Sequence, residues 1–165
     1  MMRGGRNRLM RWTGMAVPFR PGGRGLVEVA RRVEAVLATG GVLAIAGEGR
    51  IHVGERVVPP LNDGAAFFAI RAGVPIVPVA ISGTSWLAFG RRVRVRIGDP
   101  IDPAPFRGRV GMAALTEVVR ERLEGLVADV PERPPPGPIG RYVTELFNEW
   151  PEGYRPAAPP AADAQ

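Results

Sequence analysis

The sequence predicts an α/β domain whose mixed, largely parallel sheet is covered by helices. Two observations carry that expectation: helix-like and strand-like apolar patterns alternate along the chain, and glycines punctuate them. A third bounds its size, because 165 residues with 45% hydrophobic content suffice for one domain with a real core.

The elements follow in order. Residues 26–37 carry Leu26, Val29, Ala30, Val33, Val36 and Leu37 at helical spacing, and Gly40-Gly41 stops the pattern after Thr39. Residues 42–46 form a short apolar run that predicts a buried strand emptying into the polar turn Gly47-Glu48-Gly49-Arg50. Asn62 or Asp63 is placed to cap a second helix through Ala65, Phe67, Phe68, Ile70 and Arg71, which Gly73 ends. The next apolar run, 74–81, contains Pro75 and Pro78, so it is expected to be irregular before it becomes a strand. Val93, Val95 and Ile97 alternate with Arg92, Arg94 and Arg96, which predicts a half-exposed strand with one apolar and one basic face. A third helix over roughly 112–127 aligns Met112, Leu115, Val119, Leu123 and Leu126 on one stripe. Three regions result: a basic arm at 1–13, the α/β domain at 14–130, and a Pro-rich segment at 131–165 with a short helix over 141–149 and a disordered tail.

Composition excludes several chemistries. There is no cysteine and one histidine, His52, so thiolate nucleophiles, disulfides and histidine-based metal clusters are not expected. The apolar runs are too short for a membrane-spanning helix, and the start MMRGGRNRLMRW lacks the apolar centre of a signal peptide. The expected place is the cytoplasm. Net charge is +6 and all 22 basic residues are arginine. A GC-rich coding sequence accounts for the missing lysine, whereas the positive excess fits an anionic partner, since the guanidinium donates to phosphate in a fork. A nucleic-acid role is not expected, because zinc spacing and an aromatic-studded RNA-binding strand are both missing.

Residues 40–84 carry the most informative motifs. Ala46-Gly47-Glu48-Gly49-Arg50 follows the predicted strand, a helix comes next, and Val74-Pro75-Ile76-Val77-Pro78-Val79 leads into the following strand. Upstream, Gly14 and Arg20 frame a Gly-x5-Arg spacing. In order and spacing, residues 14–102 resemble the lysophospholipid acyltransferase family, of the 1-acylglycerol-3-phosphate type. The resemblance implies a glycerolipid acyltransferase-like fold, an acyl-CoA or acyl carrier protein co-substrate with no cofactor, and a lysophospholipid acceptor such as lysophosphatidic acid. It also implies an anionic membrane surface as partner and a peripheral position at the inner face of the cell membrane.

Site residues come from the same resemblance. Arg20 and Arg50 are placed to bind the acceptor phosphate, with Glu48 and Gly49 in the turn beside it. Glu48 would fix the turn, hold an arginine, or contact acceptor hydroxyls; a surface arginine is the alternative for Arg20. Arg91, Arg92, Arg94 and Arg96 would face anionic lipid or form a solvated face. Trp86, Leu87 and Phe89 would dip into an interface or pack in a crevice.

Two departures bear on the chemistry. The family's Phe-Pro before its glutamate is Ala46-Gly47 here, and its His-x4-Asp dyad, which precedes the Gly-x5-Arg element, has no counterpart in residues 1–13. His52 does not replace it, because Val57 stands where the aspartate would be. No catalytic residue is therefore assigned, and the fold is expected to be incomplete at the N-terminus, with exposed apolar surface. The expected activity is acyl transfer to a lysophospholipid; the alternative is a non-catalytic relative that binds anionic lipid or a partner protein.

Overall fold

A computed structural model describes residues 24–49, 55–84, 92–131, 137–140 and 142. The chain divides into two compact units, Met1–Ala44 and Ile45–Gln165. Arg20, Arg50, His52, Trp86, Leu87, Phe89 and Arg91, the basic arm at 1–13 and nearly all of the helix expected at 141–149 lie outside the described residues.

In the first unit, helix α1 spans Arg24–Ala38. Its apolar positions recur at i, i+3, i+4 and i+7, but among the described side chains only Val33 is buried, while Val27 and Val36 are exposed. Its end is a full Schellman arrangement: Gly40, at φ 77°, donates to the Leu37 carbonyl at 3.1 Å and Gly41 donates to that of Val36 at 2.9 Å. The Thr39 hydroxyl adds donations to the Ala35 and Val36 carbonyls. The predicted glycine stop is thus present in atomic detail.

Residues 42–46 depart from expectation. They form no strand, and Val42 is 91% exposed. An apolar run becomes a strand only where an edge accepts its backbone groups, and no described residue pairs with this one.

In the second unit, helix α2 spans Gly64–Ala72, strand β1 Val79–Ser82, strand β2 Arg94–Ile97 and helix α3 Gly108–Val127. Helix α3 is the spine. Its predicted stripe puts Leu115 and Val119 against Ala66 and Ala69 of α2, with Leu61, Ile76, Phe106 and Met112 closing the rim. About two turns beyond, Val127 meets Ala80 of β1 and Val130, while Leu123 joins both clusters. The small residues Ala66, Ala69 and Ala80 allow this close approach.

The described sheet is two-stranded and antiparallel, with Val79 opposite Ile97 and Ser82 opposite Arg94. Helices with a small sheet fit the α/β class; the largely parallel sheet is not found among the described residues. Both prolines fall before the strand, as expected. Ile76 exchanges two backbone bonds with Ile101, at 3.0 and 2.8 Å. From there to the Val79–Ile97 pair, the second strand uses one residue more than the first, which amounts to a bulge near Gly98.

The two faces of β2 are reversed in burial relative to the usual reading of an alternating strand. Val79, Ile81, Val95 and Ile97 share a face that is exposed, with Ile97 at 69%. The Arg96 side turns toward α3 instead. Its guanidinium donates to the Leu126 carbonyl at 2.8 Å and to both oxygens of Asp129, one of them at 3.0 Å. It therefore satisfies a carbonyl of the last turn of α3, which has no partner within the helix. Arg56 Nε donates to the carbonyl of Val130, three residues past the end of α3, at 2.5 Å. Arg96 is thus engaged with the end of α3. Arg92 and Arg94 are exposed.

The Arg96 guanidinium holds the Asp129 carboxyl below its ordinary range, chiefly by donating to it. A depressed folded pKa means that the unfolded chain binds the extra proton, so the stabilisation is present above the ordinary carboxylate pKa and is lost as pH falls through the folded value. Asp129→Asn is expected to lower stability slightly at pH 7, and its difference from the unsubstituted chain is expected to shrink as pH falls from the ordinary aspartate value of about 3.9 through the lower folded one. Urea midpoints measured from pH 6 to pH 2 check this. Curves that stay parallel would mean that the pair contributes nothing.

Candidate functional site

The glycine turn at 46–49 lies in the second unit, beside the start of α2. Gly49 donates to the Ala46 carbonyl at 3.2 Å and closes the turn. Gly49 sits at φ 62°, in the left-handed region that side-chain-bearing residues enter at a cost of roughly 1–2 kcal/mol. Glu48 is half-buried at the turn's tip. A Cβ on Gly47 would press within 3.2 Å of Leu61, so the turn lies directly on the segment that leads into α2.

That contact is fixed by Asn62. Its backbone N–H and its side-chain amide both donate to the Gly47 carbonyl, at 2.8 and 3.1 Å. Neither Asn62 nor Asp63 caps α2 with its side chain, contrary to expectation. Asp63 occupies the N-cap position, but its carboxylate accepts instead from the Thr116 hydroxyl of α3 at 2.7 Å. Adjacent residues thus face two ways: Asn62 to the turn, Asp63 to the core helix.

The glutamate and glycine of the motif are brought to this turn as the sequence suggests. Arg20 and Arg50 lie outside the described residues, so their approach to Glu48 is not described. Among the described residues no group of three His, Asp or Glu side chains could hold a metal ion. No described helix is long and apolar enough to cross a membrane. Asn62 is the residue that sequence reasoning assigned to the wrong task, because an Asn-Asp pair before a helix carries the same signal whether it caps the helix or ties a distant turn.

The acyltransferase family model matches residues 3–82. This stretch supports an acyltransferase family. It is slightly under half of the chain and runs from the basic arm through the Gly-x5-Arg spacing, α1, the 46–49 turn and α2 to the last residue of β1. Strand β2 and helix α3 lie beyond it, although α3 supplies the core on which Leu61, Ala66, Ala69 and Ala80 of the matched stretch pack. No curated protein and no solved structure matches the chain.

The Glu55 carboxylate accepts from the Gly83 N–H at 2.8 Å, just after β1. It therefore ties the residues following the glycine turn to the end of the acyltransferase segment. Glu55 carries no motif that would have marked it in the sequence.

Proposed function

We propose that this chain holds the acceptor in a lysophospholipid acyltransferase, with a lysophosphatidic-acid-like molecule as acceptor and acyl-CoA or acyl carrier protein as donor, in phospholipid biosynthesis. The observation that carries the proposal is the glycine turn bearing Glu48, which falls within the acyltransferase match and ahead of the Val-Pro-x-x-Pro-Val run. In such a transfer the acceptor hydroxyl oxygen attacks the thioester carbonyl carbon, the carbon–sulfur bond breaks, and the hydroxyl proton ends on the departing thiol. The turn serves the acceptor side of that reaction. Arg20 and Arg50 take the phosphate through charge-assisted forks, while Glu48 accepts from an acceptor hydroxyl or holds one of those arginines.

No residue of this chain is assigned the base. The net charge of +6 also fits a second reading, a non-catalytic relative that binds anionic lipid or a partner protein. In both readings the net charge of +6 supports an anionic membrane surface as partner and a peripheral position at the inner face of the cell membrane.

The test measures binding and transfer separately. Short-chain lysophosphatidic acid is titrated against the chain beside lysophosphatidylcholine, and radiolabelled acyl-CoA is then added. Preference for the phosphomonoester together with acyl transfer supports the enzyme. Preference without transfer supports the binding relative, and no preference removes both.

A further inference from the structure

Asn62 does more for the turn than its place before a helix requires. A backbone carbonyl has two lone pairs, and at Gly47 both are taken by this one residue, through its N–H at 2.8 Å and its amide Nδ2 at 3.1 Å. The same Nδ2 lies 2.9 Å from the position a Cβ on Gly49 would occupy, so the amide stands against both glycines that flank Glu48. Through the next residue, Asp63, the tether continues to Thr116 on α3, and Phe67 donates to the Asp63 carbonyl at 2.8 Å inside α2. Glu48 is thereby held in a fixed place relative to the buried α2–α3 core, although it sits on a surface turn.

We propose that Asn62 is a positioning residue for the acceptor: by clamping the Gly47 carbonyl it fixes the Glu48 carboxylate where it accepts a hydrogen bond from the free glycerol hydroxyl of the bound lysophospholipid. The inference rests on the acceptor-binding function proposed above and deepens it. A rigidly held carboxylate discriminates for the hydroxyl, because an acceptor site built for an O–H donor is left unpaired by a ligand without one. A loosely held carboxylate turns to water and loses that discrimination while the phosphate, bound elsewhere, still contributes.

The test uses the full chain and two ligands, lysophosphatidic acid and dodecyl phosphate, which has the phosphate and an alkyl chain but no free hydroxyl. The unsubstituted chain is expected to favour lysophosphatidic acid by about tenfold, the effect of one hydrogen bond to a charged group. Asn62→Ala and the isosteric Asn62→Asp, which cannot donate from its ionised side chain, should bring the two affinities together while leaving that for dodecyl phosphate within about twofold. Glu48→Gln should lower the preference similarly, and the double variant Glu48→Gln/Asn62→Ala should lose no more than the single ones, because the two residues act as one device. Hydrogen exchange at the Gly49 amide gives a second readout in the absence of ligand: it should quicken in Asn62→Ala while the amides of α2 keep their protection. An unchanged Gly49 exchange rate overturns the proposal, as does an undiminished ligand preference in both Asn62 variants. An unsubstituted chain that binds neither ligand overturns the acceptor-binding function itself.

Discussion

Leu115→Ala is expected to cost about 2–5 kcal/mol of unfolding free energy, the range for deleting a fully enclosed leucine side chain. Leu115 has 0% exposure and belongs to the cluster in which Ala66 and Ala69 of α2 meet α3, with Leu61, Ile76, Phe106 and Met112 packed around it. Where the loss falls within that range depends on how far those larger neighbours relax into the void. Urea unfolding followed by circular dichroism reads the effect as a lower midpoint at unchanged slope. The consequence reaches the glycine turn: Asp63 is tied to Thr116, the residue after Leu115, and a loosened α2–α3 contact would weaken the acceptor binding proposed for that turn without touching the ligand. A loss below about 1 kcal/mol would show that the α2–α3 contact is not the core of this unit.

Gly83→Ala should be nearly as damaging, for a different reason. Gly83 sits at φ 88°, and a Cβ there would fall 2.3 Å from the Arg92 carbonyl oxygen. The obstacle is backbone, so no rotamer change relieves it. Strain of the left-handed conformation costs about 1–3 kcal/mol, and the chain crossing would also have to part. That would stretch the Ser82–Arg94 pair at the end of the sheet and pull the Gly83 N–H away from Glu55. Hydrogen exchange should therefore quicken along Val79–Ser82 and Arg94–Ile97 while α2 and the first turns of α3 keep their protection. Uniform loss of protection across the unit would mean instead that the sheet and the helices unfold together.

The helices were legible in the sequence because each carries its own signal. Residues 26–37 and 112–127 repeat apolar groups with a period that only a helix satisfies, and Gly40 and Gly73 mark their stops; the observed elements, Arg24–Ala38, Gly64–Ala72 and Gly108–Val127, differ at the ends by a few residues. The strands were less legible, since a strand depends on a partner that local sequence does not name. Residues 42–46 and Val79–Ser82 read alike as apolar runs, yet only the second pairs among the described residues. Alternation in β2 announced two faces and left open which one turns inward. The choice fell to the end of α3, whose unpartnered Leu126 carbonyl and nearby Asp129 draw Arg96 toward the helix. The turn at Glu48 was visible as a motif, whereas the Asn62 clamp was not, because it joins positions fifteen residues apart through a distance that only folding creates.

The exposed apolar face of β1 and β2 has a colloidal consequence. Four aliphatic side chains, Val79, Ile81, Val95 and Ile97, stand on a flat patch of a molecule whose net charge is +6. In dilute buffer, repulsion between like-charged copies acts over a screening length of about 30 Å at 0.01 M ionic strength and keeps these patches apart; at 1 M it shrinks to about 3 Å, shorter than the side chains themselves. Every cationic side chain in that count is an arginine, so raising the pH to 10 leaves all of them charged, and salt is the stronger variable for association. Sulfate both screens the charge and strengthens apolar contact, so it should bring copies together well before chloride does at equal ionic strength.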